Sequence, residues 1–371
     1  MKGTRNKMKT QKFFGNTSVI RKVIVVAALA ATFAVPAVAS AQASVKSGEA
    51  CSKSQLNKAS GTLKCTYDSK TKKYTWAASK TTAKANWPKE LIFGFVPAEN
   101  VAAMQTRTEP ALKYLSKKIG LPIKFYSATD YAGVIEAAAA GRVDVVEFGP
   151  FQYVLALARG AKLEPIAGAV RVPTGKPAYY SYGIARGSDA SVKALSDFKG
   201  KNVCFTDPGS TSGGLYPTAG LLGIGLKSAD YRATYAGGHD LSVLSVAKGT
   251  CDVGFAYDDM VDIDMINDGR IKKGDIKVVW KSEAISGSPI SVSLNLPKDL
   301  QAIIKDAILG LNVDNMVADG FCTSNATWVK GTVLKDCNPI YTNHWGWVPV
   351  SDALYDGVRR VCETTKSSKC K

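Results

Sequence analysis

From Trp87 onward, strand-like and helix-like segments alternate, and this alternation limits the possible folds more than any other feature of the sequence. Apolar runs typical of buried strands, such as 91–98 and 143–149, are each followed by a stretch with helical spacing, 104–118 and 151–160. Strands that alternate with helices of about 10–15 residues predict α/β units with a mostly parallel sheet.

The chain of 371 residues is long enough for two such α/β lobes. We expect lobe 1 to contain residues 87–185 and, after the chain returns, residues 285–371 with C-terminal helices. Residues 186–284 would form lobe 2. A cleft between two α/β lobes is a common binding place for a small ligand.

The N-terminus has the pattern of an export signal. Residues 1–43 carry seven Lys or Arg and no acidic residue, and an apolar run covers 23–35. Small residues follow, with cleavage expected near Ala41 or Ala43. Thirteen apolar residues are too few for a membrane anchor, which needs about 20. No Cys follows the run, so no lipoprotein attachment is expected, and we predict a periplasmic, cell-surface or extracellular protein.

Residues 44–86 form a separate Lys-rich segment. They contain nine Lys and two acidic residues, whereas residues 87–371 are nearly balanced, with 32 basic and 29 acidic residues. Because a nucleic-acid-binding protein would concentrate positive charge on its folded domain, no nucleic-acid partner is expected. Two interpretations of 44–86 remain open: a solvated spacer held by a disulfide, or a module that binds the cell wall or surface.

The eight cysteines predict disulfides, because their number is even and the protein is expected outside the cytoplasm. Eight cysteines allow 105 different pairings. Of these, we choose the one that joins cysteines near each other in sequence: Cys51–Cys65, Cys204–Cys251, Cys322–Cys337 and Cys362–Cys370. With no C-x-x-C motif and two His in the chain, neither a metal nor a cofactor is expected.

The segment 202–226, NVCFTDPGSTSGGLYPTAGLLGIGL, is the most informative for chemistry. A predicted strand ends at Asp207, and Ser210, Thr211 and Ser212 open a helix after a Pro-Gly turn. The start of a helix offers free N–H groups and a positive dipole end, so it suits an anion, and the three hydroxyls add donors. The simpler interpretation is that one of these hydroxyls only caps the helix.

His239 follows another predicted strand and two glycines, at the same expected edge of the sheet, where open α/β sheets bind ligands. A structural or solvated role for this His is the alternative. The segment GSTSG is not the G-x-S-x-G elbow of hydrolases, because Thr211 occupies the nucleophile position.

The segments DPGSTSGGLYP, GGHD, VDVVEFGPFQYVLA and WVPVSDALYDGVRRV resemble the phosphonate-, phosphite- and phosphate-binding proteins of ABC importers. The resemblance covers roughly residues 90–365. It implies a two-lobed periplasmic-binding-protein fold of type II, in which Ser210, Thr211, Ser212 and His239 hold the phosphorus-bound oxygens. It also implies an ABC permease as partner, and we expect a monomer without enzymatic activity.

Other candidate ligand residues follow from the same resemblance. Acidic residues meet the ammonium group in aminoalkylphosphonate binders, and here the candidates are Tyr257, Asp258 and Asp259. Ser286–Ser288 stands where some relatives carry an Asp, which favours a small inorganic ligand. The opposite wall has five candidates: Glu99, Tyr131, Glu147, Phe148 and Tyr153.

Two other functions remain alternatives. A protein of the same fold can present its ligand to a signalling receptor, and an exported phosphate-ester hydrolase would need a base beside Ser210 or Ser212.

Overall fold

The computed structural model describes residues 46–56, 58–60, 63–68, 71–78, 86–322, 337–366 and 370. The expected export signal, residues 1–43, lies outside the described residues. The chain divides into two compact units, Met1–Lys80 and Thr81–Lys371. Among the described residues, none of the helices combines the length and the apolar character that crossing a membrane requires.

The described part of the N-terminal unit contains a small antiparallel sheet of three strands, β1 (Ala59–Ser60), β2 (Leu63–Asp68) and β3 (Lys73–Ala78). Trp76 and Cys65 are buried in it. Because few apolar side chains are buried among the described residues of this sheet, we expect the Cys51–Cys65 disulfide to contribute much of its stability.

The larger unit alternates strands and helices. Its strands are β4 (Leu91–Phe95), β5 (Ile123–Ser127), β6 (Val145–Glu147), β7 (Leu163–Val170), β8 (Ala178–Tyr179), β9 (Ser181–Arg186), β10 (Asn202–Phe205), β11 (Arg232–Tyr235), β12 (Val253–Tyr257), β13 (Ile276–Lys281), β14 (Ile285–Ser286), β15 (Pro289–Ser293) and β16 (Gly346–Pro349). Its helices are α1 (Val101–Ile119), α2 (Tyr131–Ala139), α3 (Pro150–Ala158), α4 (Tyr216–Gly223), α5 (His239–Ala247), α6 (Met265–Asn267), α7 (Lys298–Leu309), α8 (Val313–Ala318) and α9 (Asp356–Thr365).

The strands of this unit form two main sheets. One has the order β16-β7-β15-β6-β4-β5, and the other has the order β11-β10-β12-β9-β13. Both are mixed, so the prediction of mostly parallel sheets is wrong. In the six-stranded sheet, β15 enters between β6 and β7 and is antiparallel to both, because the chain returns to this sheet from the opposite direction. In the five-stranded sheet, β9 and β13 are antiparallel to their neighbours.

The chain passes between the two sheets at 171–180 and at 282–288, and the two crossings pair with each other through β8 and β14. This pairing joins the lobes at one side of the cleft. The lobe limits expected from the sequence remain a prediction; β9, residues 181–186, lies in the five-stranded sheet.

Local chemistry accounts for the element boundaries nearest the cleft. The Asn100 side chain accepts a hydrogen bond from the Ala103 N–H and begins α1, and the Asp130 side chain accepts one from the Gly133 N–H and begins α2. Each lobe has its own buried apolar core, for example around Phe93 and Phe95 in one and Phe255 in the other.

The structure contains the four disulfides that nearness in sequence predicts, which confirms that pairing. Cys204 lies in β10 and Cys251 lies just before β12, so this disulfide joins segments that the sheet already brings together.

Candidate functional site

A cavity of about 110 Å³ lies between the lobes, at the ends of strands from both sheets. Predicted residues that line it are Glu99, Tyr131, Glu147, Ser210, Thr211, Ser212, His239, Tyr257, Asp258 and Asp259. Two candidates lie elsewhere. Phe148 is buried in the apolar core, since neighbouring side chains of a strand point to opposite faces and Glu147 takes the cavity side. Tyr153 is buried and donates to Asp352 Oδ1 at 2.8 Å.

The segment Ser210–Ser212 begins a helix whose first turn, Thr211–Leu215, is a wide π turn that continues into α4. Ser210 is the N-cap, and its Oγ accepts a hydrogen bond from the Gly213 N–H at 3.1 Å. Within the helix, the first-turn N–H groups of Thr211 and Ser212 have no acceptor. All three hydroxyl-bearing residues are at least 97% buried, and they face the cavity with these donors.

Thr211 also connects the lobes. Its Oγ1 accepts a hydrogen bond from the Phe151 N–H of lobe 1 at 2.9 Å, so the hydroxyl hydrogen remains for another acceptor. The hydrogen points toward Gln152 Oε1 at 3.5 Å, which is the weak limit of a hydrogen bond.

His239 begins α5 beside Ser210. The Tyr257 backbone N–H donates to His239 Nδ1 at 3.2 Å, so Nδ1 must be an acceptor. The neutral ring therefore carries its hydrogen on Nε2, which lies 3.2 Å from Ser210 Oγ. Burial lowers the pKa of His239 to about 3, because the charged ring would lose its hydration. At neutral pH this His is an uncharged donor.

Tyr131 and Glu147 form the opposite wall. The Tyr131 hydroxyl is buried within reach of the Ser210 side chain but forms no hydrogen bond of good geometry among the described residues. A buried hydroxyl without a partner costs about 1–3 kcal/mol, so it is a candidate ligand contact. Glu147 accepts a hydrogen bond from the Tyr341 hydroxyl, and burial raises the pKa of its carboxyl to about 7.

Asp258 and Asp259 are engaged by a residue that we did not predict. Arg171 Nη2 lies 3.0 Å from Asp258 Oδ2 and 2.9 Å from Asp259 Oδ2, and its Nη1 donates to Ala178 O at 3.1 Å. The aspartates thus hold the first crossing segment. Asp258 Oδ1 is buried and lacks a partner within the described part of the chain.

A second cluster across the cavity was also missed. Arg107 of α1 pairs with Glu99, with Nη1 at 2.9 Å from Oε2. Asp264 accepts from the Tyr257 hydroxyl at 2.9 Å and from the Thr342 hydroxyl, and burial raises its pKa to about 6. Arg171 directly follows β7, a strand end at which a site residue is expected; Arg107 and Asp264 lie within segments that carry no such signal.

Comparisons with known proteins agree with this architecture. Residues 93–332 match the family described as "ABC transporter, phosphonate, periplasmic substrate-binding protein". The chain is 42% identical over 301 residues to the phosphate-import protein PhnD of Mycolicibacterium smegmatis, with 79% of this chain and 91% of the relative covered. It is 30% identical over 224 residues to the phosphonates-binding periplasmic protein of Escherichia coli, with 59% and 65% covered.

Solved structures show the same fold. PhnD1 of Prochlorococcus marinus in complex with methylphosphonate superposes with a TM-score of 0.63 at 18% identity, covering 75% of this chain and 99% of that one. A binding protein component of an ABC phosphonate transporter from Pseudomonas aeruginosa gives 0.62 at 23% identity, covering 75% and 87%. The fold is the two-lobed fold of periplasmic binding proteins. By sequence and by fold, this chain belongs to the phosphonate-binding family of periplasmic substrate-binding proteins of ABC transporters.

Proposed function

We propose that this protein captures a phosphorus oxyanion between its lobes and delivers it to the permease of an ABC importer. The hydroxyl and N–H groups of Ser210, Thr211 and Ser212 bind the oxygens, together with His239 Nε2–H. One observation carries the proposal: a buried cavity between the lobes is lined on one side by uncharged donors that converge from a helix start and a neutral His. Such donors suit an oxyanion.

The preferred ligand is a small one, with phosphate first. Arg171 engages one oxygen of Asp258 and one of Asp259, so these carboxylates are less available to an ammonium group. The Mycolicibacterium smegmatis relative is named a phosphate-import protein, which supports the same choice. Phosphite and methylphosphonate share the required tetrahedral oxygens. An aminoalkylphosphonate is the second candidate, because Asp258 Oδ1 is buried without a partner among the described residues.

The protein acts in binding rather than in catalysis. A hydrolase would use His239 as a base to take a proton from Ser210, but Nε2 of the neutral ring already carries a proton. The other ring nitrogen, Nδ1, accepts a hydrogen bond from the Tyr257 backbone N–H and lies 3.2 Å from the Thr206 hydroxyl. Among the described residues, no carboxylate contacts Nδ1 to orient the ring as a hydrolase would require. Presentation of the same ligand to a signalling receptor is the alternative role for this fold.

We further propose that the protein is exported as a monomer after cleavage near Ala41 or Ala43. Residues 44–86 retain it at the cell surface or act as a spacer. We place the first boundary between the lobes near residue 180 rather than 185, because β9 (Ser181–Arg186) pairs within the five-stranded sheet of lobe 2. Lobe 2 then extends to residue 284, and lobe 1 resumes at 285.

Isothermal titration of the mature protein with phosphate, phosphite, methylphosphonate and 2-aminoethylphosphonate tests the proposal. We expect tight binding of phosphate and weaker binding of the aminoalkyl ligand. Tight binding of 2-aminoethylphosphonate alone would support the second candidate. Absence of binding to all four would refute oxyanion capture and leave the Ser-Thr-Ser turn as a helix cap.

A further inference from the structure

A buried carboxyl in an anion site needs an explanation, and Glu147 is such a group. It lies at the end of β6, is 4% exposed and lines the same cavity as the Ser210–Ser212 turn. Its Oε1 accepts a hydrogen bond from the Tyr341 hydroxyl, its partner among the described residues. Oε2 is therefore available to a ligand, and an ionised carboxylate can only accept hydrogen bonds.

Within the described chain, the cavity wall contains no arginine that lacks a carboxylate partner. Arg107 pairs with Glu99, with its Nε–H buried and without an acceptor, and Arg171 pairs with Asp258 and Asp259. A fully deprotonated oxygen placed beside Glu147 would meet like charge, which is strongly unfavourable in a buried site. An oxygen that carries a hydrogen would instead donate it.

We propose that Glu147 determines ligand specificity by accepting a hydrogen bond from a protonated phosphorus-bound oxygen, so that the site excludes tetrahedral anions without a proton, such as sulfate. This inference rests on the proposed capture of a phosphorus oxyanion. Tyr341 is a positioning residue, since its hydroxyl fixes Oε1 and leaves Oε2 to the ligand. Phosphate at neutral pH retains a P–O–H group, whereas sulfate has none.

The surroundings of Glu147 set the pH range in which this recognition operates. Burial raises the pKa of the carboxyl to about 7, the Tyr341 hydrogen bond and Arg107 lower it, and Glu99 raises it. The Tyr131 hydroxyl also lies close enough for its own pKa to be raised by the charge of Glu147. Above about pH 8 the carboxyl is therefore ionised and acts only as an acceptor.

The first test compares phosphate and sulfate binding by isothermal titration at about pH 8.5, where both carboxyls are ionised, in the wild type, Glu147→Gln and Asp264→Asn. The amide introduced by Glu147→Gln can donate to a bare oxygen. We therefore expect the preference for phosphate over sulfate to fall at least tenfold, in line with the loss of a hydrogen bond to a charged group. Asp264→Asn removes the same unit of negative charge from the cavity wall, so it should leave the preference within about threefold of the wild type.

A second measurement needs no variant. Above about pH 8, methylphosphonate is mostly a dianion without a P–O–H hydrogen, whereas phosphate keeps one. Wild-type affinity for methylphosphonate should therefore fall roughly tenfold per pH unit above its second pKa, while affinity for phosphate stays nearly constant.

The possible outcomes separate the two proposals. If the wild type binds none of these phosphorus oxyanions, the proposed function fails. A different outcome is that the wild type binds phosphate while Glu147→Gln still excludes sulfate, or while the affinity for methylphosphonate does not change with pH. Either result refutes the role of Glu147 and leaves the proposed function standing. An equal loss of preference in Asp264→Asn would also overturn it, because general charge would then explain the selectivity.

Discussion

Gly213 is the position at which a single added methyl group should damage the oxyanion site most directly. A Cβ at this position would lie 2.0 Å from Thr206 Oγ1, 2.3 Å from Thr206 Cβ and 3.0 Å from His239 Cε1. Thr206 is fully buried, its N–H donates to Gly213 O at 2.9 Å, and its hydroxyl lies 3.2 Å from His239 Nδ1. The strand end, the helix start and the His are thus packed on one another at this glycine.

The expected losses of stability and of ligand affinity in Gly213→Ala follow from that packing. Ordinary contacts of a Cβ lie at 3.4–4 Å, so Thr206 or the start of the helix must move by more than an ångström in Gly213→Ala. Overpacking in a buried region costs about 1–3 kcal/mol of the free energy of unfolding. Either movement also shifts the His239 ring or the Ser210–Ser212 donors. Because a hydrogen bond to a charged ligand is worth about 1.5–3 kcal/mol, we expect affinity for phosphate to fall about tenfold or more.

Gly223→Ala is the matched control, since Gly223 ends the same helix and a Cβ there meets no atom within 4 Å. This control should be neutral or stabilising by up to about 1 kcal/mol, because Ala loses less backbone entropy than Gly in a helix. Urea unfolding and phosphate titration of both variants provide the measurement. Wild-type stability and affinity in Gly213→Ala would show that the turn can relax, and the close packing inferred here would be wrong.

Three further predictions concern the site and its support. Ser210→Ala and Thr211→Ala should each weaken phosphate binding roughly tenfold or more by removing a donor to a charged ligand, and titration at neutral pH checks this. Because burial lowers the pKa of His239 from 6.5 to about 3, the neutral ring contributes stability that is full above pH 6.5 and is lost as the pH falls from 6.5 toward 3. Relative to His239→Gln, the ligand-free wild type should thus lose about 1.4 kcal/mol more unfolding free energy between about pH 7.5 and about pH 5.5 in urea titrations; equal losses would contradict the buried neutral ring. Replacing Cys204 and Cys251 together by Ala opens a link across 47 residues and should cost about 2–4 kcal/mol, measured by urea unfolding; an unchanged midpoint would show that the sheet alone holds these strands.

The turn that we propose to bind the oxyanion could be located from the sequence because all of its determinants are local. A strand end, a Pro-Gly turn, three hydroxyls and two glycines occur within a few residues, and the anion-binding property of a helix start needs nothing from distant parts of the chain. His239 could be identified as a candidate from the sequence for the same reason, since it begins the helix after a neighbouring strand. The disulfide pairs also join cysteines that are neighbours in the order of the chain, at sequence separations of 8 to 47.

What the sequence did not indicate depends on long-range pairing. Arg171 meets Asp258 from 87 residues away, so the sequence left the aspartates as free candidates for a ligand. The Glu147–Tyr341 contact spans 194 residues. Strand alternation, by contrast, is a local signal: Glu147 and Phe148 are adjacent in a predicted strand, so their side chains must point to opposite faces. The sequence interpretation overlooked this signal when it placed both residues in the cavity wall. The insertion of β15 that makes the first sheet mixed also depends on where the chain returns after the second lobe.

The charges around the cavity explain why uncharged groups would form the proposed oxyanion site. Two unit charges of the same sign 4 Å apart repel by about 4 kcal/mol at an effective dielectric constant of 20, and Glu147 stands in the wall of this cavity. An arginine without a carboxylate partner would offset that repulsion for any anion, regardless of the protonation state of the anion. Both cavity arginines in the described chain are instead held by carboxylates, and His239 is kept neutral by burial. Binding must then come from directed hydrogen bonds, which depend on where the ligand places its oxygens and its hydrogen. A cavity of this kind selects among anions of equal charge, which attraction to a cation alone cannot do.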